Sequence, residues 1–153
     1  MKVYQTNEIR NIAIIGGSGS GKTTLAEALL FEGGVIKRRG SVDSGNTVSD
    51  YFTVEKEYGY SVFSTIFSIE WQNKKINFID SPGSDDFSGG AVSALNVTDT
   101  ALMVLNAQYG VEVGTINLFR YAEDLNKPVI FLINQLDKEY ADFDKTLLQL
   151  KET

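Results

Sequence analysis

Eight consecutive residues of the chain have the types and spacing to hold an anion: Gly16-Gly17-Ser18-Gly19-Ser20-Gly21-Lys22-Thr23. They satisfy the pattern G-x-x-x-x-G-K-[ST], whose chemistry is phosphate binding. Glycines let successive backbone N–H groups turn toward negative charge. The N-terminus of a following helix adds positive potential, and a lysine at the Lys22 position reaches the β- and γ-phosphates. The Thr23 hydroxyl is a Mg²⁺ ligand in such a loop, and Thr24 follows it into the helix. A glycine-rich turn can carry the same letters by chance. The apolar run Ile12-Ala13-Ile14-Ile15 before it and the helical spacing of Leu25, Ala26, Leu29 and Leu30 after it supply the strand–loop–helix context that chance does not.

Two further groups fit the same chemistry. Asp80-Ser81-Pro82-Gly83 follows an apolar strand. There, Asp80 would hold a Mg²⁺-bound water and the Gly83 N–H would contact a γ-phosphate, an approach only glycine allows. Asn134-Gln135-Leu136-Asp137 closes a later strand. A carboxylate at Asp137 accepts hydrogen bonds from guanine N1–H and its exocyclic amine, a pattern adenine does not offer, so discrimination can be steep. Ser61, at the end of a long polar stretch, is a candidate second protein ligand of Mg²⁺, and residues 35–61 are a candidate switch that orders around a triphosphate.

The elements that must position these residues alternate along the chain. Strands are expected at about 9–15, 61–71, 75–80, 100–106 and 128–134, and helices at 22–32, 90–96, 113–125 and 142–152. Gly33-Gly34 is expected to close the first helix. Phe63, Thr65, Phe67, Ile69 and Trp71 should share one strand face, with a hairpin turn at Asn73-Lys74. Residues 35–59 show no clean period and read as a long mobile loop. The fold class is α/β, a mostly parallel sheet with one antiparallel edge hairpin. No internal domain boundary is visible.

Composition sets bounds on function. A chain of 153 residues is one domain's worth. It has no cysteine, which excludes disulfides and thiolate metal sites and fits a cytoplasmic setting. It has no histidine, so no side chain titrates near neutrality without perturbation. The net charge of −6 argues against direct nucleic-acid binding by this segment alone. No apolar run reaches membrane-span length, and the first residues lack the pattern of a secretory signal.

Taken in order, the phosphate loop, Asp80–Gly83, the stretch Ala107-Gln108-Tyr109-Gly110-Val111-Glu112-Val113-Gly114-Thr115, Lys127-Pro128 and Asn134–Asp137 resemble the GTP-binding (G) domain of translational GTPases. The likeness is to elongation factor G and its elongation factor G-like paralogues in bacteria, and runs from about residue 8 to the end. It implies a P-loop NTPase fold, GTP or GDP with Mg²⁺, and the ribosome as the partner of a larger multidomain protein, of which residues 1–153 would be a partial G domain. It also implies that a C-terminal strand and helix, with the family's Ser-Ala base-reading loop, are missing.

Several positions depart from the family. Ser84 stands where the family usually has the histidine that positions the attacking water. Gly17 and Gly19 replace a His and an Asp, Tyr58-Gly59-Tyr60-Ser61 replaces Arg-Gly-Ile-Thr, and Gln135 replaces a Lys. Phosphate binding needs none of these histidines, whereas water positioning does. The expectation is nucleotide binding with slow or absent hydrolysis, because water-orienting and charge-stabilising parts supply about 10³–10⁵ in rate. The alternative is a non-hydrolysing GTP/GDP sensor or ribosome-regulating module. An ATPase or kinase is disfavoured by Asn134–Asp137.

Overall fold

The computed structural model describes residues 2–153. Five strands form one sheet: β1 (Ile9–Ile15), β2 (Thr65–Trp71), β3 (Lys74–Asp80), β4 (Thr100–Asn106) and β5 (Val129–Asn134), in the order β2-β3-β1-β4-β5. β1 runs parallel to β3 and β4, β4 runs parallel to β5, and only β2 is antiparallel to its neighbour. The expected mostly parallel sheet with one edge hairpin is the observed one.

Helices α1 (Lys22–Glu32), α3 (Ser88–Val97), α4 (Val113–Asp124) and α5 (Phe143–Glu152) pack on the sheet, while α2 (Thr53–Tyr58) lies in the segment between α1 and β2. Successive strand residues point to opposite faces. Ala13, Ile15, Ala101, Met103 and Leu105 therefore pack against Ala91, Ala94 and Leu95 of α3 and Leu118 and Ala122 of α4. Ile14, Phe67, Phe78 and Val104 pack against Ala26 and Leu30 of α1. The continuous apolar runs of β1 and β4 are what a strand covered on both faces requires.

Strand order reverses at β1, which lies between β3 and β4. In open parallel sheets, ligands bind beyond the carboxyl ends of the strands at such a point. The phosphate loop follows β1, Asp80 ends β3, Asn106 ends β4 and Asn134 ends β5. Four groups far apart in sequence thus meet on one rim.

The structure corrects several expected boundaries. β2 starts at Thr65, not at 61, because the N–H groups of Val62 and Phe63 are tied to Glu55 of α2 rather than to β3. Phe67 and Ile69 are buried under α1, but Phe63 and Trp71 are half exposed: Phe63 precedes β2 and packs on Phe52, and Trp71 ends the strand. The hairpin turns at Gln72 and Asn73, both with positive φ (46° and 60°), one residue before the expected pair. This is the primed-turn geometry that matches strand twist. α3 begins at Ser88, two residues early, and α4 ends at Asp124. Asp142 is the cap of α5, accepting from the Lys145 N–H at 2.9 Å. Gly34, with φ of 70°, closes α1 while the Val35 N–H bonds back to the Leu30 carbonyl.

Residues 35–59 differ most from expectation. They are not a structureless loop: they contain α2 and are fastened by two buried carboxylates. Glu27 of α1 accepts the backbone N–H of Gly40 at 2.7 Å and that of Val48. Glu55 of α2 accepts the N–H groups of Phe52, Val62 and Phe63 at 3.2, 3.0 and 3.1 Å. Both glutamates are 2% exposed or less, so these bonds replace the water the carboxylates lose.

Candidate functional site

A cavity of about 340 Å³ opens on the rim where strand order reverses. One wall is the phosphate loop and the start of α1: Ser18, Gly19, Gly21, Lys22, Thr23 and Thr24. Gly83 and Gln135 close its sides. The facing wall comes from the segment between α1 and β2, through Val42, Asp50, Gly59, Tyr60 and Ser61. The expected switch segment therefore does face the expected phosphate loop.

Gly21 caps α1 in the left-handed region with φ of 91°. That conformation bends the chain from strand to helix and aims the first N–H groups of α1 at the cavity. Lys22 is buried and its Nζ donates to the carbonyls of Gly16 and Gly17 at 2.9 and 2.8 Å. Burial lowers its pKa from 10.5 to about 8, against the pull of Asp80 and Asp50. A triphosphate here would restore the charged form by supplying the anion the ammonium lacks. Gly83 lies against Lys22 and the Gly17 carbonyl, and a Cβ at this position would overlap both. Asp80-to-Gly83 is thus pressed onto the phosphate loop, as the sequence pattern requires.

The Thr23 hydroxyl donates to Asp80 Oδ2 at 3.2 Å and lies 3.1 Å from the Ser61 hydroxyl. Asp80 is 1% exposed and its Oδ1 has no partner. Burial pushes its carboxyl up from 3.8 to about 6, opposed by the Lys22 charge and by the hydrogen bond from Thr23. Asp50 is also buried with an unpartnered Oδ1, and burial raises its pKa too, with the Ser61 hydroxyl drawing it back down. Two hydroxyls and two carboxylates, each carboxylate with an orphaned oxygen, are a hard-oxygen set. This set fits Mg²⁺, which binds through one or two carboxylates plus phosphate and water rather than in an all-protein cage.

Other expected site residues take different places. Asn134 Nδ2 donates to the Ser20 carbonyl at 2.9 Å, and Gln135 Nε2 donates to the Gly19 carbonyl at 2.7 Å. Both brace the phosphate loop. The Ser20 hydroxyl is buried without a partner. Asp137 stands exposed beyond them, outside the cavity lining. Ser84 lines an adjoining depression with Asp85, Ser88, Asn117 and Tyr121, which meets the phosphate cavity at Gly83.

Residues 7–153 match the elongation factor Tu GTP binding domain. The chain belongs to this family. It is 38% identical over 146 residues to the mitochondrial ribosome-releasing factor 2 of Candida dubliniensis, covering 95% of this chain and 18% of that protein. It is 37% identical over 144 residues to an elongation factor G-like protein of Thermotoga maritima, covering 94% of this chain and 20% of that protein. The chain thus spans about a fifth of the length of these relatives. A crystal structure of a Thermus thermophilus protein superimposes with a TM-score of 0.91 at 36% identity, over 95% of this chain and 22% of that one. Translation elongation factor SelB of Methanococcus maripaludis, solved with the GTP analogue GppNHp, shares the fold at a TM-score of 0.71 and 22% identity, over 94% of this chain and 26% of its own. The family match and these relatives bear out the expected resemblance to the GTP-binding domain of elongation factor G-like proteins.

Sequence reasoning missed Asp50, Glu27 and Glu55. Glu27 had a readable signal: it shares the phase of Thr23, Ala26 and Leu30 on the buried side of α1, where an acid needs a partner. Asp50 had none, since it sits in a stretch without periodicity, and only its burial beside Ser61 and Lys22 marks it.

Proposed function

We propose that this G domain binds GTP and GDP with Mg²⁺ and serves as the nucleotide switch of a translation factor that acts on the ribosome. The cavity between the phosphate loop and the switch segment carries this reading, together with the orphaned carboxylate oxygens of Asp80 and Asp50. The phosphates would lie on the N–H groups of residues 17–24, with Lys22 against the β- and γ-phosphates and the Gly83 N–H near the γ-phosphate. Thr23, Ser61, Asp50 and Asp80 would hold Mg²⁺, which supplies charge neutralisation at the phosphates; Asp80 would act through a water. Asn134, Gln135 and Asp137 would form the guanine-reading loop, with Asp137 as the carboxylate that accepts from the base. Lys22 would release the Gly16 and Gly17 carbonyls as it engages the ligand.

Hydrolysis by this domain is slow in our reading. Ser84, next to Gly83 at the edge of the phosphate cavity, has no imidazole with which to position a water as a histidine would. Ribosome release is favoured over translocation as the biological task by the names of the fungal relatives. The cysteine-free composition and the bacterial elongation factor G-like relative favour the cytoplasm as its compartment. Among the described residues, no helix is long and apolar enough to cross a membrane.

Calorimetric titration of GTP, GDP and ATP with Mg²⁺ tests the reading. Guanine-selective binding is the expected result. Equal binding of ATP would overturn the base assignment, and strong ribosome-stimulated turnover would overturn the slow-hydrolysis assignment.

A further inference from the structure

The rim beyond β4 holds a hydrogen-bond chain that none of the motifs accounts for. The Gln108 backbone N–H donates to Asn106 Oδ1 at 2.8 Å, Asn106 Nδ2 donates to Gln135 Oε1 at 2.9 Å, and Gln135 Nε2 donates to the Gly19 carbonyl at 2.7 Å. Asn106 is 4% exposed, so water does not substitute for a link lost at its amide. Both ends are fixed by covalent chemistry: a backbone N–H can only donate and a backbone carbonyl can only accept. The two amides between them must point head to tail. Turning either one sets donor against donor or acceptor against acceptor.

We infer that Asn106 and Gln135 are positioning residues forming a directional amide relay that locks the base-reading loop onto the phosphate loop, and that this lock sets affinity for guanine nucleotides. This inference rests on the guanine-nucleotide reading of the cavity. Gln135 is held with φ of 61°, a conformation non-glycine residues seldom adopt, at the start of Gln135–Asp137. The relay holds it there, so the distance between phosphate-binding N–H groups and Asp137 depends on it. Gln108 Nε2 donates to the Glu139 carbonyl at 2.6 Å and ties the far side of the same loop.

The relay's polarity predicts which substitutions break it and which restore it. Asn106→Asp places an acceptor-only group opposite Gln135 Oε1; turning the Gln135 amide to meet it presents oxygen to the Gly19 carbonyl. Gln135→Lys places a donor-only group opposite Asn106 Nδ2; turning the Asn106 amide presents nitrogen to the Gln108 N–H. Each single change therefore cuts one link whichever way the remaining amide turns. Made together, they restore every link: the new carboxylate accepts from Gln108 and from the new ammonium, which also donates to Gly19.

The experiment is a double-mutant cycle in the full natural protein, read by titration of a fluorescent N-methylanthraniloyl GDP. Each single variant should weaken binding about tenfold, and the double variant should return to within about threefold of the unaltered protein. Gln135→Met, apolar and of similar length, should also weaken binding about tenfold and covers the case in which a charged single variant fails to fold. Unchanged affinity in Gln135→Met, or a double variant as weak as the product of the singles, would overturn the relay. If the unaltered protein binds no guanine nucleotide, the nucleotide reading itself falls. The relay is then decided by thermal midpoints of the same proteins: recovery in the double variant supports it, and additive losses overturn it.

Discussion

Replacing Asp80 by Asn should stabilise the nucleotide-free protein and abolish its response to Mg²⁺ and triphosphate. The carboxylate is 1% exposed, with one oxygen bonded to Thr23 and the other unpartnered. Burial raises its pKa from 3.8 to about 6 in the native state. In the unfolded chain the same group titrates near its ordinary value. Between those two pH values the native state holds a proton that the unfolded state lacks, so stability falls as pH rises from about 4 to about 6 and stays low above it. At about 1.4 kcal/mol for each tenfold change in proton affinity, the fall is about 3 kcal/mol.

An asparagine is neutral throughout and should show no such fall. The variant should match the parent below pH 4 and exceed it by up to about 3 kcal/mol at pH 7, or roughly 6–12 °C in Tm for a domain of this size. Urea unfolding without nucleotide across pH 4–7.5 measures the first effect. Thermal unfolding with and without Mg²⁺-GTP measures the second: the parent gains stability by mass action and the variant does not. Parallel pH curves for the two proteins, or a variant less stable at neutral pH, would refute the view that Asp80 is a buried charge awaiting a cation.

Three other outcomes follow from the same geometry. Glu27→Ala removes the acceptor for two backbone N–H groups, each charge-assisted bond contributing about 1.5–3 kcal/mol, so amide exchange at Gly40 and Val48 should accelerate about a hundredfold or more by hydrogen-exchange mass spectrometry. Asp137→Asn should weaken GTP about a hundredfold or more and shift selectivity toward xanthosine triphosphate, measured by competition binding; unmoved selectivity would remove Asp137 from base reading. Ser84→His should raise ribosome-stimulated GTP turnover by about 10² or more, and an unchanged rate would place the limit elsewhere.

The amino-acid sequence by itself determined the parallel sheet and the location of the phosphate loop. Both signals are local: continuous apolar runs at β1, β4 and β5, and a glycine pattern whose function depends on adjacent backbone N–H groups. The strand ends at Asp80 and Asn134 were equally legible, since each polar residue stops an apolar run.

Only the tertiary structure decided the rest, because the interactions join residues far apart in the chain. Residues 35–59 carry no period, and their order comes from Glu27, which lies on a different element, and from Glu55, whose partners include Val62 and Phe63. Asp50 joins the candidate metal site only once the segment folds back over Lys22 and Thr23. The start of β2 moved to Thr65 because side-chain anchors upstream compete with the sheet for the backbone. Asn134 and Gln135 read in sequence as base contacts, yet both also hold the phosphate loop, Asn134 bonding the Ser20 carbonyl across 114 residues. Local pattern records which backbone a segment prefers. Which buried polar group satisfies which distant N–H or carbonyl is set by packing, and no window of sequence contains both partners.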